Sequence, residues 1–81
     1  AEAQIVETGG YPFVSGGWIT GAHYPTVTVY NHIDVQPAQE PEWQRDPFAF
    51  QNEDGIYRGR GATDDKGPAL STLFGARFAI F

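Results

Sequence analysis

The sequence predicts an α+β fold of about four short strands followed by one C-terminal helix. Two observations predict it. The first two-thirds of the chain holds β-branched and aromatic runs, punctuated by Gly9-Gly10 and Asp54-Gly55 turn signals. From Pro68 onward the apolar residues change to helical spacing, with Leu70, Leu73, Phe74, Phe78 and Phe81 at i, i+3, i+4, i+8 and i+11.

The elements follow in chain order. "AQIVET" and "PFVSGGWIT" are strand candidates on either side of Gly9-Gly10, a pair suited to a hairpin turn. "GAHYP" connects them to "TVTVYNHID", whose Thr, Val and Tyr residues give the strongest strand signal in the chain. "VQPAQEPEWQRDP" is broken by proline and reads as a loop. "FAF" and "IYRG" flank Asn52 to Gly55, a second hairpin with Asp-Gly as its turn. After "GRGATDD" the helix begins. Asp64 or Asp65 can cap it, and Pro68 is tolerated in its first turn.

Gly75 lies inside this helix at a cost of about 1 kcal/mol against alanine, which is usually offset where another backbone must come close. Ala69, Ala76 and Ile80 widen the apolar stripe until little polar face remains beyond Ser71, Thr72 and Arg77. Such a helix needs cover on most sides, and four short strands cannot supply it. The chain is therefore expected to be part of a larger domain. The alternative is a self-contained module that buries the helix in a homo-oligomer.

With 81 residues the chain is one small unit. Ten acids against five bases give a net charge of −5, with no basic stripe to displace phosphate counterions, so no nucleic-acid partner is expected. No apolar run approaches the roughly 20 residues that span a bilayer, and no membrane partner is expected either. The absence of cysteine removes disulfides and thiolate metal sites. With no basic-then-apolar leader, it points to a cytoplasmic location.

Two clusters carry chemistry. His32 and Asp34, two apart at a strand end, leave the same face. That spacing lets a carboxylate hold one imidazole nitrogen while the other faces a metal. Alone, such a pair is more often surface decoration. Asp64 and Asp65 sit at a strand-to-helix turn, beside a helix N-terminus that favours negative charge. Alone, they are more often an N-cap with a spare acid. The spacing matches neither a phosphate loop, G-x-x-x-x-G-K-[ST], nor the D-x-D-x-D-G ladder of a calcium loop. His23 reads as a loop histidine, Lys66 as a solvated or supporting charge, and Trp43, Phe48, Phe50 and Tyr57 as cover for the loop and sheet edge.

Together the clusters say more. The order "HIDVQP", Trp43, "DPF", "DG", "GRGATDDKGP" resembles the zinc-dependent peptidases that include carnosine dipeptidases, acetylornithine deacetylases and succinyl-diaminopimelate desuccinylases. The resemblance runs from about Pro25 to the C-terminus, and Gln36 and Asp65 lean toward the dipeptidase branch. It implies that residues 1–81 are a partial catalytic domain, incomplete at both ends, within a larger α/β/α fold. It further implies that His32 is the ligand of one zinc and Asp34 the acid that orients it. Asp64 would be the carboxylate bridging two zincs, followed by a cis peptide to Asp65. In this family the two zincs polarise the scissile carbonyl and acidify a bridging water, whose proton a glutamate takes. The parent enzyme would hydrolyse amide bonds in dipeptides or small acylated amino acids.

Two departures stand out. Asn31 occupies a position where the family usually has glycine. After Asp65 the chain has no Asp, Glu or His, so the family's glutamate pair, further acidic ligand and C-terminal histidine are not supplied. The 81 residues alone are expected to be inactive, with at most a partly filled zinc site.

Overall fold

In a computed structural model, which describes residues 2–81, two separate antiparallel hairpins precede a single long helix. The first hairpin pairs β1 (Glu2–Val6) with β2 (Phe13–Gly17), in a register that sets Glu2 opposite Gly17 and Val6 opposite Phe13. Both strands are shorter than the sequence suggests, because each ends where its partner does. The connection is a six-residue loop rather than a tight two-residue turn. Inside it the Thr8 hydroxyl accepts from the Gly10 N–H at 3.0 Å and donates to the Tyr11 carbonyl at 2.8 Å.

The second hairpin pairs β3 (Gln51–Glu53) with β4 (Ile56–Arg58). Its tip is the expected Asp-Gly turn. Asp54 at φ 53° and Gly55 at φ 84° both lie in the left-handed region, as a type I′ turn requires. Asn52 Oδ1 accepts from the Gly55 N–H at 2.9 Å, and Phe50 stacks on Tyr57 with centroids 5.4 Å apart. "FAF" is not part of the strand. Asp46 accepts from Phe48 N–H through its side chain and from Ala49 N–H through its carbonyl, so Asp-Pro turn chemistry overrides strand propensity there.

The largest difference is at "TVTVYNHID". Residues 26–34 have no ladder partner among the described residues and form no strand. Propensity supplies a fit to a pleated surface, but a strand exists only where a neighbour takes up its backbone hydrogen bonds.

The helix α1 spans Gly67–Ile80, with Pro68 in its first turn as expected. Its N-cap is Lys66, with no side-chain cap, so neither Asp64 nor Asp65 caps it. A wide π-type turn over Ala62–Lys66 precedes it and swings both acids away from the helix end. Lys66 N–H donates to the Gly61 carbonyl five residues back at 3.0 Å.

No large apolar side chain among the described residues is buried; Leu73 is 68% and Phe78 90% exposed. The accessible surface of 7504 Å² compares with about 4,800 Å² for a folded monomer of this mass. The radius of gyration is 16.6 Å, against about 12 Å for a compact chain of this length. The shortest dimension, 16 Å, has room for one layer. Trp18 meets Phe81 edge-on at 5.4 Å, joining the first hairpin to the end of α1. No helix among the described residues is long and apolar enough to cross a membrane.

Candidate metal centre

The site forms where residues 31–34 cross the turn that enters α1. The backbone fixes the crossing before any titrating atom is involved. Gly61, the one buried residue among those described, has φ 91°, and a Cβ there would lie 2.6 Å from Val35 Cγ1. Only glycine allows this left-handed turn to approach Val35 so closely. Gly67 is constrained in the same way, since a Cβ would run into the Ala62 carbonyl oxygen. The two glycines bracket Asp64 and Asp65.

Four groups then clasp the crossing. His32 N–H donates to Asp65 Oδ2 at 3.1 Å. Lys66 Nζ donates to the Ile33 carbonyl. His32 Nε2 lies 2.9 Å from Asp64 Oδ1, although 32 residues separate them in sequence. The Asn31 amide, turned with its nitrogen toward the carboxylate, donates to Asp65 Oδ2 at 3.1 Å and accepts from Thr72 Oγ1 at 2.9 Å. Asn31, the departure from the resemblance, thus ties the segment to both the turn and α1. The Asp64–Asp65 peptide is cis, as the resemblance implies.

Asp34 lies on the other side of the imidazole. Its Oδ1 is 3.3 Å and its carbonyl oxygen 3.2 Å from His32 Nδ1. Both ring nitrogens therefore face oxygen acceptors, which favours the doubly protonated ring. The imidazole pKa is accordingly raised above 6.5, first by the Asp34 carbonyl and then by Asp64, with partial burial acting against them. The structure brings together all three residues singled out in the sequence, His32, Asp34 and Asp64. His23 is elsewhere, in a turn, its ring tilted against Tyr24 with centroids 4.4 Å apart.

The donor chemistry fits a zinc ion in part. An imidazole nitrogen and a carboxylate oxygen sharing one tetrahedral zinc lie about 3.3 Å apart at ordinary bond lengths, so the 2.9 Å separation needs only a small side-chain adjustment. At 85% exposure Asp64 has room to make it. The deficit is in number. No group of three or more His, Asp or Glu side chains suited to a metal occurs among the described residues, whereas a catalytic zinc takes about three protein ligands.

His32 and Asp64 open onto a groove of about 370 Å³ whose other wall is Trp43 and Arg60. Arg60 donates to Glu40 Oε1, and Trp43 Nε1 donates to Glu40 Oε2 at 3.0 Å. The Arg60 guanidinium carbon lies 5.5 Å from the Trp43 ring centroid. In the sequence Trp43 reads as cover, and nothing there marks Glu40. A 20-residue separation across an irregular loop gives no periodic signal by which to pair Glu40 with Arg60.

The profile of peptidase family M20/M25/M40 matches residues 28–77. The chain is 54% identical to the beta-Ala-His dipeptidase of Mus musculus over 50 residues, which is 60% of this chain and 10% of that protein. It is 48% identical to a Cys-Gly metallodipeptidase of Schizosaccharomyces pombe over 64 residues, 76% of this chain and 13% of that protein. It is 46% identical to the cysteinylglycine-S-conjugate dipeptidase of Corynebacterium striatum over 50 residues, 60% of this chain and 11% of that protein. The chain thus spans about a tenth of the length of the relatives it matches. No solved structure matches.

Proposed function

This chain belongs to peptidase family M20/M25/M40, and we propose that it is the metal-binding N-terminal part of a dinuclear zinc dipeptidase, inactive by itself. The observation that carries the reading is the 2.9 Å approach of His32 Nε2 to Asp64 Oδ1, an imidazole nitrogen and a carboxylate oxygen brought together from 32 residues apart. The named dipeptidases support a small peptide as the parent enzyme's substrate.

In this reading His32 and Asp64 hold zinc, His32 through Nε2. Asp34 orients the ring: by accepting at Nδ1 it fixes the tautomer that leaves Nε2 available once its proton is displaced. Asp65 fixes the backbone of His32, and Lys66 fixes that of Ile33, so the two ligands come from a braced crossing rather than from free side chains. Bound zinc supplies Lewis acidity toward a carbonyl and a water that ionises near neutral pH. The chain's own groups leave two gaps. After Asp65 it offers no further acid or histidine to complete the ligand set or to move a proton. We assign those roles to the remainder of a longer polypeptide, which makes residues 1–81 a partial catalytic domain of a larger α/β/α fold.

Calorimetric titration of the chain with zinc, beside His32→Ala and Asp64→Ala, tests this. Uptake that both substitutions abolish is expected, with no hydrolysis of added dipeptides by the zinc-loaded chain. Uptake indifferent to both substitutions contradicts the assignment.

A further inference from the structure

We propose that Glu40, Trp43 and Arg60 form a positioning clamp that sets how closely Asp64 approaches His32. The inference rests on the metal-site reading above and adds three residues to it.

The clamp is a closed triangle. Each oxygen of one carboxylate, Glu40, accepts from a different partner, Arg60 at Oε1 and Trp43 at Oε2, and those two partners lie against each other. The backbone reinforces it: Arg60 N–H donates to the Pro47 carbonyl at 2.7 Å, and Trp43 N–H to the Glu40 carbonyl at 3.3 Å. Arg60 is 24% exposed, low for an arginine where no large apolar side chain among the described residues is buried. The Glu40 carboxyl is held down at about 2, through its own backbone N–H, Arg60 and Trp43, so the network stays charged.

Its location gives it a consequence. Arg60 directly precedes Gly61, the glycine wedged against Val35, and Val35 directly follows Asp34. The loop bearing Glu40 and Trp43 begins at Val35. Tethering that loop to Arg60 therefore presses Val35 onto Gly61, and the Gly61 carbonyl anchors the turn that presents Asp64. The clamp touches no ligand atom. It acts through Val35 and Gly61 on the spacing of His32 and Asp64, and it walls the groove onto which they open.

The test is cobalt(II) titration of the 81-residue chain, read by the visible bands of the bound ion, which report ligand geometry rather than global folding. Glu40→Gln and Arg60→Lys are each expected to weaken cobalt uptake about 10- to 100-fold and to shift the bands. The double variant is expected to lose no more than either single one, because both break the same triangle. Trp43→Phe, which keeps the ring beneath Arg60 and loses the indole bond, is expected to fall between. Native-like affinity and bands in both single variants, with uptake still dependent on His32, would overturn the clamp and leave the metal site standing. Additive losses in the double variant would also overturn it. Absence of uptake by the native chain would overturn both readings.

Discussion

The exposed apolar face of α1 predicts that the chain self-associates, and Phe74→Glu with Phe78→Glu tests it. The accessible surface exceeds that of a folded monomer by about 2,700 Å² per chain, more than the roughly 1,000–2,500 Å² that each partner gives up in a typical obligate interface. Phe74 and Phe78, one helical turn apart, are 58% and 90% exposed on the same face. Burying each contributes about 1.5–3 kcal/mol, so losing both removes about 3–6 kcal/mol per chain from any association that covers this face. A dimer loses that amount from each of its two chains, so at 1.4 kcal/mol per decade its dissociation constant rises by about four to nine orders of magnitude. Sedimentation velocity at micromolar concentrations is the assay. The native chain is expected as a dimer or larger assembly, and the double variant as a monomer or a much weaker assembly. A native chain that sediments as a folded monomer, with the helicity of α1 intact, would refute the reasoning.

Other predictions follow from the site. Gly61→Ala forces a side chain into a left-handed conformation at about 1–2 kcal/mol and pushes Val35 aside at about 1 kcal/mol or more, so zinc uptake is expected to weaken about 30- to 100-fold in calorimetry. Gly55→Ala has a similar φ with nothing within 4 Å, lies in the second hairpin, and is expected to leave uptake unchanged. The His32 imidazole is raised above 6.5, so its ion pairing is complete below about pH 6.5 and is lost as pH rises through the raised folded value. A ring-nitrogen NMR titration is expected to give a midpoint above 6.5 that falls in Asp64→Asn, and zinc uptake should strengthen with pH because the metal displaces the Nε2 proton. The Glu40 carboxyl is held near 2, so its contribution is present above the ordinary carboxylate range and fades as pH falls toward 2. The Trp43 indole N–H resonance should move over that acidic interval.

Much of the site was legible because its chemistry is local and dense. His32 with Asp34 and Asp64 with Asp65 are each readable as a pair, and the order of motifs placed them in one family. The second hairpin was legible because Asp54-Gly55 supplies the two positive φ values that its turn needs. The helix was legible because 3.6-residue spacing persists for about three turns, from Leu70 to Phe81. Other features depended on partners that spacing does not reveal. "TVTVYNHID" has every local feature of a strand, yet strand formation is a pairwise property and no described residue pairs with it. Asp64 and Asp65 suit an N-cap, but the wide turn and the draw of His32 place their carboxylates across the site instead. The Glu40–Trp43–Arg60 triangle joins a proline-broken loop to a strand end, and only folding brings those positions together.

The most direct measurement is zinc K-edge X-ray absorption on the zinc-loaded chain, beside His32→Ala and His23→Ala. A shell of oxygen donors with one imidazole, lost in His32→Ala and kept in His23→Ala, is the result predicted here. An all-oxygen shell in the native chain, or an imidazole signal that survives His32→Ala, would contradict the central claim that His32 and Asp64 form one metal-binding pair.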